Sequence, residues 1–189
     1  RIAAALAHEI RNPLGSIAGS VDLLSTAPGL EEEDRLLCGI IGREAARLND
    51  LVSDMLELSK PRRPELTSVD VARLASEVVA LARASGRGTD VNVLSGGVTS
   101  GVIVSADASQ LRQVIWNLVR NAIQATEAGA PVQVTVVPAT KGRPVQLEII
   151  DAGKGIPESS RGRLFDPFFT TKFGQGGSGL GLNIVYNLV

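Results

Sequence analysis

The chain has 189 residues with 19 basic and 20 acidic side chains, a formal net charge of −1, and the charges form no basic block of the kind that tracks a phosphate backbone, so nucleic acid is not an expected partner. Hydrophobic residues make up 44% and aromatics only 3%, which allows a sizeable core but one built from Leu, Val, Ile and Ala. Cys38 is the only cysteine, which excludes an internal disulfide and makes a reducing cytoplasm the expected setting.

No apolar run reaches the roughly 18 residues that suggest a membrane span, and no secretory leader is visible. The sequence starts and stops inside helix-like patterns. It therefore reads as a piece of a longer chain, with any membrane or sensory part outside it.

Two helical patterns come first. Leu6, Ile10, Ile17, Val21 and Leu24 recur at spacings that share one helix face. "TAPGL", residues 26–30, is a turn. "EEED", residues 31–34, suits the positive N-terminal end of a second helix. There Leu37, Ile41, Leu48, Leu51, Met55 and Leu58 keep close to an a/d rhythm, with Glu44 as the polar exception. A lone hairpin cannot hide both stripes. A homodimer in which two hairpins form a four-helix bundle is the expected solution.

"SKPRRPEL", residues 59–66, breaks the pattern with two prolines and three basic residues. The organisation predicted is a hairpin over 1–60, a linker over 61–67 and a second domain over 68–189, truncated at its C-terminal end. In that domain a short extended piece near 66–69 leads into a helix over 71–84. "DVNVLS" and "GVIVSA" read as strands, and 107–127 reads as a helix with Leu111, Val114, Ile115, Leu118, Val119 and Ile123 inward. "PVQVTVVP" and "PVQLEIID" are strands joined by the polar loop "ATKGR". The mixture implies an α+β fold, one sheet covered by helices.

The only histidine is His8, in "HEIRNPL". At about 100° per residue it falls nearly opposite the apolar stripe and is predicted to face solvent. Asn12 lies one turn later on the same face, and Pro13 removes the helical hydrogen bond to the Glu9 carbonyl, which predicts a kink. An exposed helical histidine alone is more often plain surface. Three later stretches change its weight. Asn117 and Asn121, in "NLVRNAIQA", stand four apart, and two amide oxygens so placed can hold a hard cation such as Mg²⁺. In "DAGKGI", Asp151 ends a strand and Gly153 and Gly155 let backbone pass close to something flat. "GQGGSGLGL", residues 174–182, offers backbone N–H groups at a helix start, as phosphate cradles do, without a Walker A signature.

The order "HEIRNPL", "NLVRNAIQA", "DAGKGI", "FDPFFTTK", "GQGGSGLGL" resembles the H, N, G1, F and G2 boxes of sensor histidine kinases of two-component systems. The wording of the first and fourth is most similar to the nitrogen-regulation subgroup. The resemblance covers nearly the whole chain. It implies a dimerisation and phosphotransfer hairpin followed by an α/β sandwich ATP-binding domain of the Bergerat fold. By that resemblance His8 is the phosphoacceptor, Glu9 its hydrogen-bond acceptor and base, and Asn12 the residue that orients a hydrolytic water. Asn121 with Asn117 coordinates Mg²⁺, and Asp151 takes the adenine amino group beside Gly153 and Gly155. Gly177, Gly179 and Gly181 line the triphosphate, Lys172 is a phosphate contact, and Phe165 and Phe168 anchor the lid. ATP and Mg²⁺ are the implied cofactors, and a response-regulator receiver domain is the implied partner.

The sequence departs from some members in carrying Gln124 where they have a basic residue. Bergerat ATPases of the chaperone and topoisomerase type usually carry Glu at the place of Asn117, which separates them from this chain. A nucleotide-binding dimeric signalling module acting mainly as a phosphatase stays open as the alternative.

Overall fold

A computed structural model describes residues 2–58, 63–84, 91–171 and 177–189, without the side chains of 2–6, 8, 57 and 58. The chain divides into two compact units, Arg1–Pro61 with Asp166–Leu180, and Arg62–Phe165 with Gly181–Val189.

The first unit is built on α1 (Ile2–Ser25) and α2 (Glu32–Leu58). The turn between them is closed by local bonds: the Thr26 and Ala27 amides donate to the carbonyls of Leu23 and Leu24, and the Ser25 hydroxyl donates to the Asp22 carbonyl at 2.7 Å. Glu32, Glu33 and Asp34 occupy the first turn of α2, where the helix dipole favours carboxylates. α1 continues through Pro13. Arg11 Nη2 donates to Ser53 Oγ at 2.8 Å and links the two antiparallel helices. Small or tucked residues, Ala7, Ala45 and Leu56, are buried in this unit. The apolar stripes are not: their exposure runs from 40% at Ile10 to 53% at Met55, with Ile17, Leu24, Leu37, Ile41 and Leu48 between. Two helices bury only the narrow seam between them, so wide stripes stay open in a single hairpin.

The second unit contains β1 (Thr67–Asp70), α3 (Val71–Ala84), β2 (Asn92–Gly97), β3 (Ile103–Ala106), α4 (Ala108–Ala125), β4 (Pro131–Val137), β5 (Gln146–Ile150), α5 (Glu158–Arg161) and α6 (Gly181–Leu188). In β4, Val132, Val134 and Val136 are buried while Pro131, Gln133 and the other alternate residues are less so, the period of two expected of a strand with one covered face. Val78 and Val79 of α3 and Ile115 and Val119 of α4 join those valines in one core. Aliphatic side chains dominate it, as the scarcity of aromatics requires.

The strands divide between two sheets, where the sequence suggested one. β1 pairs with β3 antiparallel, while β2 runs parallel to β4, which pairs antiparallel with β5. The reason is a local anchor. Asp70 Oδ1 accepts from the amides of Ala72 and Arg73 at the start of α3, and its Oδ2 accepts from Gly101 at 2.8 Å. The Val71 amide then donates to the Val102 carbonyl. The segment after β2 is thus pinned at the β1–α3 junction, and β3 pairs with β1 instead of β2.

Asp107 plays a matching part at α4. It accepts from the Glu65 amide at 3.0 Å, from the Ser109 hydroxyl at 2.7 Å, and from the Gln110 and Ser109 amides that open the helix. These donors, the Glu65 amide foremost, hold its carboxyl well below the usual carboxylate range. A depressed carboxyl stabilises the fold at pH values above its unfolded pKa, about 3.9 for aspartate, and that stabilisation is lost as pH falls through the folded value. Asp107→Ala is expected to lower the melting temperature at pH 7 and to flatten its decline below about pH 4, as read by thermal melts across a pH series. Parallel wild-type and variant profiles would remove Asp107 from the acid response.

Candidate functional site

His8, Glu9 and Asn12 lie within one stretch of α1. The expectation that the His8 side chain faces solvent lies outside the described residues. Glu9 and Asn12 are exposed, and the Asn12 carbonyl accepts from the Ser16 hydroxyl at 3.2 Å.

In the second unit, α4 collects several of the sequence-predicted positions. Its N-cap is fixed by Asp107, so its rotation about its axis is set by the core residues Ile115, Val119 and Ala122. Asn117 is only 2% exposed, and its amide Nδ2 has no hydrogen-bond partner among the described residues. A buried amide donor left unmade costs about 1–3 kcal/mol. Such a cost marks a place that a water or ligand atom completes. Asn121, one turn on, is half-buried. It is not a surface amide of the capping sort either. The first residue of α6, Gly181, packs against it: a Cβ at Gly181 would lie 3.5 Å from Asn121 Oδ1 and 3.4 Å from Arg120 Nη2.

At the last residue of α4 the strand-end loop arrives. Asp151 Oδ1 accepts from the Gly153 amide at 2.9 Å. A Cβ at Gly153 would meet the Ala125 carbonyl oxygen at 2.4 Å and Asp151 Oδ1 at 2.8 Å, so only glycine fits. Asn117, Asn121 and Ala125 follow at four-residue intervals on one helix face. One helix therefore brings the asparagine pair, the Asp151–Gly153 loop and Gly181 into one neighbourhood. Gly155, exposed two residues on, has a left-handed backbone.

Phe165 stacks on Tyr186 of α6 with ring centroids 5.1 Å apart, and its carbonyl accepts from Asn183 Nδ2 at 2.8 Å. Asn183 and Tyr186 were not singled out in the sequence. Their only signal was their place on the face of α6 that follows the glycine-rich stretch.

Gly177 and Gly179 belong to the first unit, and Lys172 lies outside the described residues. Phe168 has a left-handed backbone, φ 63°. A Cβ at Gly179 would come within 2.4 Å of the Phe168 carbonyl carbon, so these two residues bring Asp166–Leu180 back against itself. Phe168 is 55% exposed. Its fixed feature is the backbone rather than a packed ring, and a non-glycine residue held at positive φ is strained.

Among the described residues no group of three or more His, Cys, Asp or Glu side chains could hold a metal ion. A cation near α4 would draw on amide oxygens and on ligand oxygens, which suits Mg²⁺.

Residues 1–64 match the His Kinase A (phospho-acceptor) domain, and residues 106–189 match the histidine kinase-, DNA gyrase B- and HSP90-like ATPase family. The sensor histidine kinase ZraS of Escherichia coli K12 is 36% identical over 199 residues, a match that covers all of this chain and 40% of that protein. Among solved structures, full-length ShkA in complex with AMPPNP is similar with a TM-score of 0.67 and 31% identity, over 98% of this chain and 40% of that one. Histidine kinase ThkA in complex with response regulator TrrA gives 0.66 and 31%, over 100% and 53%. The ThkA catalytic domain alone gives 0.57 and 32%, over 66% and 79%. Both halves of the expected architecture, the helical phosphoacceptor region and the α/β ATPase region, are thus matched in order, and the chain belongs to the sensor histidine kinase family.

Proposed function

We propose that this chain is an ATP-dependent protein histidine kinase core. It phosphorylates His8 from Mg²⁺-ATP and passes the phosphoryl group to an aspartate of a response-regulator receiver domain. The single observation that carries this reading is α4, whose one face holds a buried, uncompleted Asn117 amide, Asn121, and the glycine contact at Ala125. In this reading residues 1–60 are the dimerisation and phosphotransfer hairpin, 61–67 the linker and 68–189 the ATP-binding domain. The setting is a reducing cytoplasm.

The donor set fits the nucleotide. Asp151 accepts from the adenine amino group, with Gly153 and Gly155 shaping the floor beneath it. Gly177, Gly179, Gly181 and Lys172 contact the phosphates. Asn121 and Asn117 would hold Mg²⁺, which would screen the charge of the phosphate oxygens. A neutral imidazole nitrogen of His8 attacks the γ-phosphorus in line. The bond to the β–γ bridging oxygen breaks, ADP leaves with that electron pair, and the proton on the other ring nitrogen moves toward Glu9. Positioning and charge neutralisation supply most of such a rate. Asn117 is not a base, and an imidazole nucleophile needs none at that place.

The exposed stripes of α1 and α2 take a second copy of the chain, giving a homodimeric four-helix bundle. Support for the nucleotide and for the receiver partner comes from the AMPPNP complex of ShkA and the response-regulator complex of ThkA. The test is incubation of the chain with γ-labelled ATP and Mg²⁺. Protein-bound label lost in acid and kept in base is the expected result, and its absence overturns the kinase reading.

A second reading, a module acting mainly as a response-regulator phosphatase, is favoured by the exposure of Asn12 one turn from His8. Asn12→Ala is expected to leave autophosphorylation within about two-fold and to slow dephosphorylation of a phosphorylated receiver domain by about 100-fold, the scale of a lost orienting group. Loss of both activities together would assign Asn12 to the hairpin's structure.

A further inference from the structure

Asp54 is the one charged side chain of the hairpin that is buried among the described residues, at 7% exposure. A carboxylate withdrawn from water needs hydrogen-bond donors. One donor is remote in sequence: Ser178 Oγ donates to Asp54 Oδ2 at 2.8 Å. Ser178 Oγ itself accepts from the Leu180 amide at 3.3 Å. Ser178 stands between Gly177 and Gly179, in the stretch read above as the phosphate loop. Its single hydroxyl proton is committed to Asp54, so in this arrangement it is not a phosphate donor. Leu180 is fully buried, and Gly179 is pressed against the Phe168 backbone, so the segment that carries Ser178 is held on both sides.

The place of Asp54 on the hairpin matters. The Arg11–Ser53 bond places Ser53 within an arginine side chain's reach of Arg11. Asp54 is one residue further along α2, which runs antiparallel to α1, and so toward His8. His8 is three residues before Arg11, about 4.5 Å along the axis at 1.5 Å per residue. Asp54 and His8 thus lie within about two helical turns of the same level.

We propose that Asp54 and Ser178 form a docking pin that holds residues 177–180 on α2 near the phosphoacceptor turn, which makes Asp54 a positioning residue for phosphoryl transfer to His8. This inference rests on the kinase reading above. The pin restricts the orientation of the loop without touching the nucleotide, and orientation is the main resource of such a transfer. A hydroxyl donating to a carboxylate is a charge-assisted bond, strong enough to select one placement of a short loop.

The experiment is steady-state and single-turnover autophosphorylation of the whole chain with γ-labelled Mg²⁺-ATP. Asp54→Ala and Ser178→Ala are each expected to lower kcat by about 10- to 100-fold while KM for ATP stays within about two-fold. The double variant is expected to be no slower than the slower single variant, because one bond is lost only once. Ser178→Thr keeps the hydroxyl and restores the rate, and Asp54→Asn keeps an acceptor oxygen and restores it in part. A rise in KM at constant kcat would make Ser178 a phosphate ligand and overturn the pin. Additive losses, or no loss, overturn it as well. Wild-type chain without any label would instead overturn the kinase reading itself.

Discussion

His8→Gln is expected to abolish the acid-labile label and to leave nucleotide affinity unchanged. Glutamine keeps a polar side chain of similar reach but has no nucleophilic ring nitrogen, so the loss falls on the chemical step. The substitution lies on α1, while the asparagine pair, Asp151 and Gly153 belong to the second unit. Two measurements check it: label incorporation, which drops to background, and titration with Mg²⁺-ADP, whose dissociation constant stays within about two-fold of wild type. Label that persists in this variant moves the acceptor to another residue and removes the central assignment. Loss of both label and nucleotide affinity points to a collapsed chain, which circular dichroism separates from a lost nucleophile.

Gly153→Ala is the second large effect. The new methyl carbon would sit 2.4 Å from the Ala125 carbonyl oxygen, a backbone atom that no rotamer change can move, and 2.8 Å from Asp151 Oδ1. The loop must lift from the end of α4, and the Asp151 carboxylate moves with it because Gly153 donates to that same oxygen. A displacement of about 1 Å at a recognition group costs on the order of 100-fold. Affinity for Mg²⁺-ATP is therefore expected to fall about 100-fold by fluorescence or calorimetric titration. The clash falls at the last residue of α4, beyond the core positions Ile115, Val119 and Ala122, so the far-ultraviolet spectrum is expected to be retained. Gly162→Ala serves as the control, since its Cβ meets nothing within 4 Å and its φ of −68° suits any residue. Equal affinity in wild type and Gly153→Ala would detach the Asp151 loop from nucleotide binding.

The periodic elements were legible in the sequence. The helix expected over 71–84 is α3, Val71–Ala84, and the one expected over 107–127 is α4 with Asp107 as its N-cap. The strands around 92–95, 103–106, 131–137 and 146–150 follow from β-branched alternation and bounding turns. The order of five short motifs carried the family, because each motif's residue types are dictated by local chemistry: an amide pair one turn apart, glycines at close approaches, a carboxylate at a strand end.

Other features were decided only in three dimensions. Local pattern says that a segment is a strand and is silent on its partner, so the split into two sheets followed from Asp70 bonding Gly101 across the fold. The helical wheel placed an apolar stripe on α1, but a two-helix seam is narrow, and small Ala7 and Ala45 took it while Ile10, Ile17 and Leu24 stayed open. Asn117 reads as a polar helix residue with no sign of burial. Its uncompleted amide exists because core packing fixed the rotation of α4. Asp54 reads as one of many helix carboxylates, and its bond to Ser178 spans 124 residues. The sequence by itself determined the elements and the chemical types at the site, since these depend on neighbours three or four positions away. Pairing, burial and the Asp54–Ser178 contact depend on residues far apart in the chain, and only the tertiary structure brings those together.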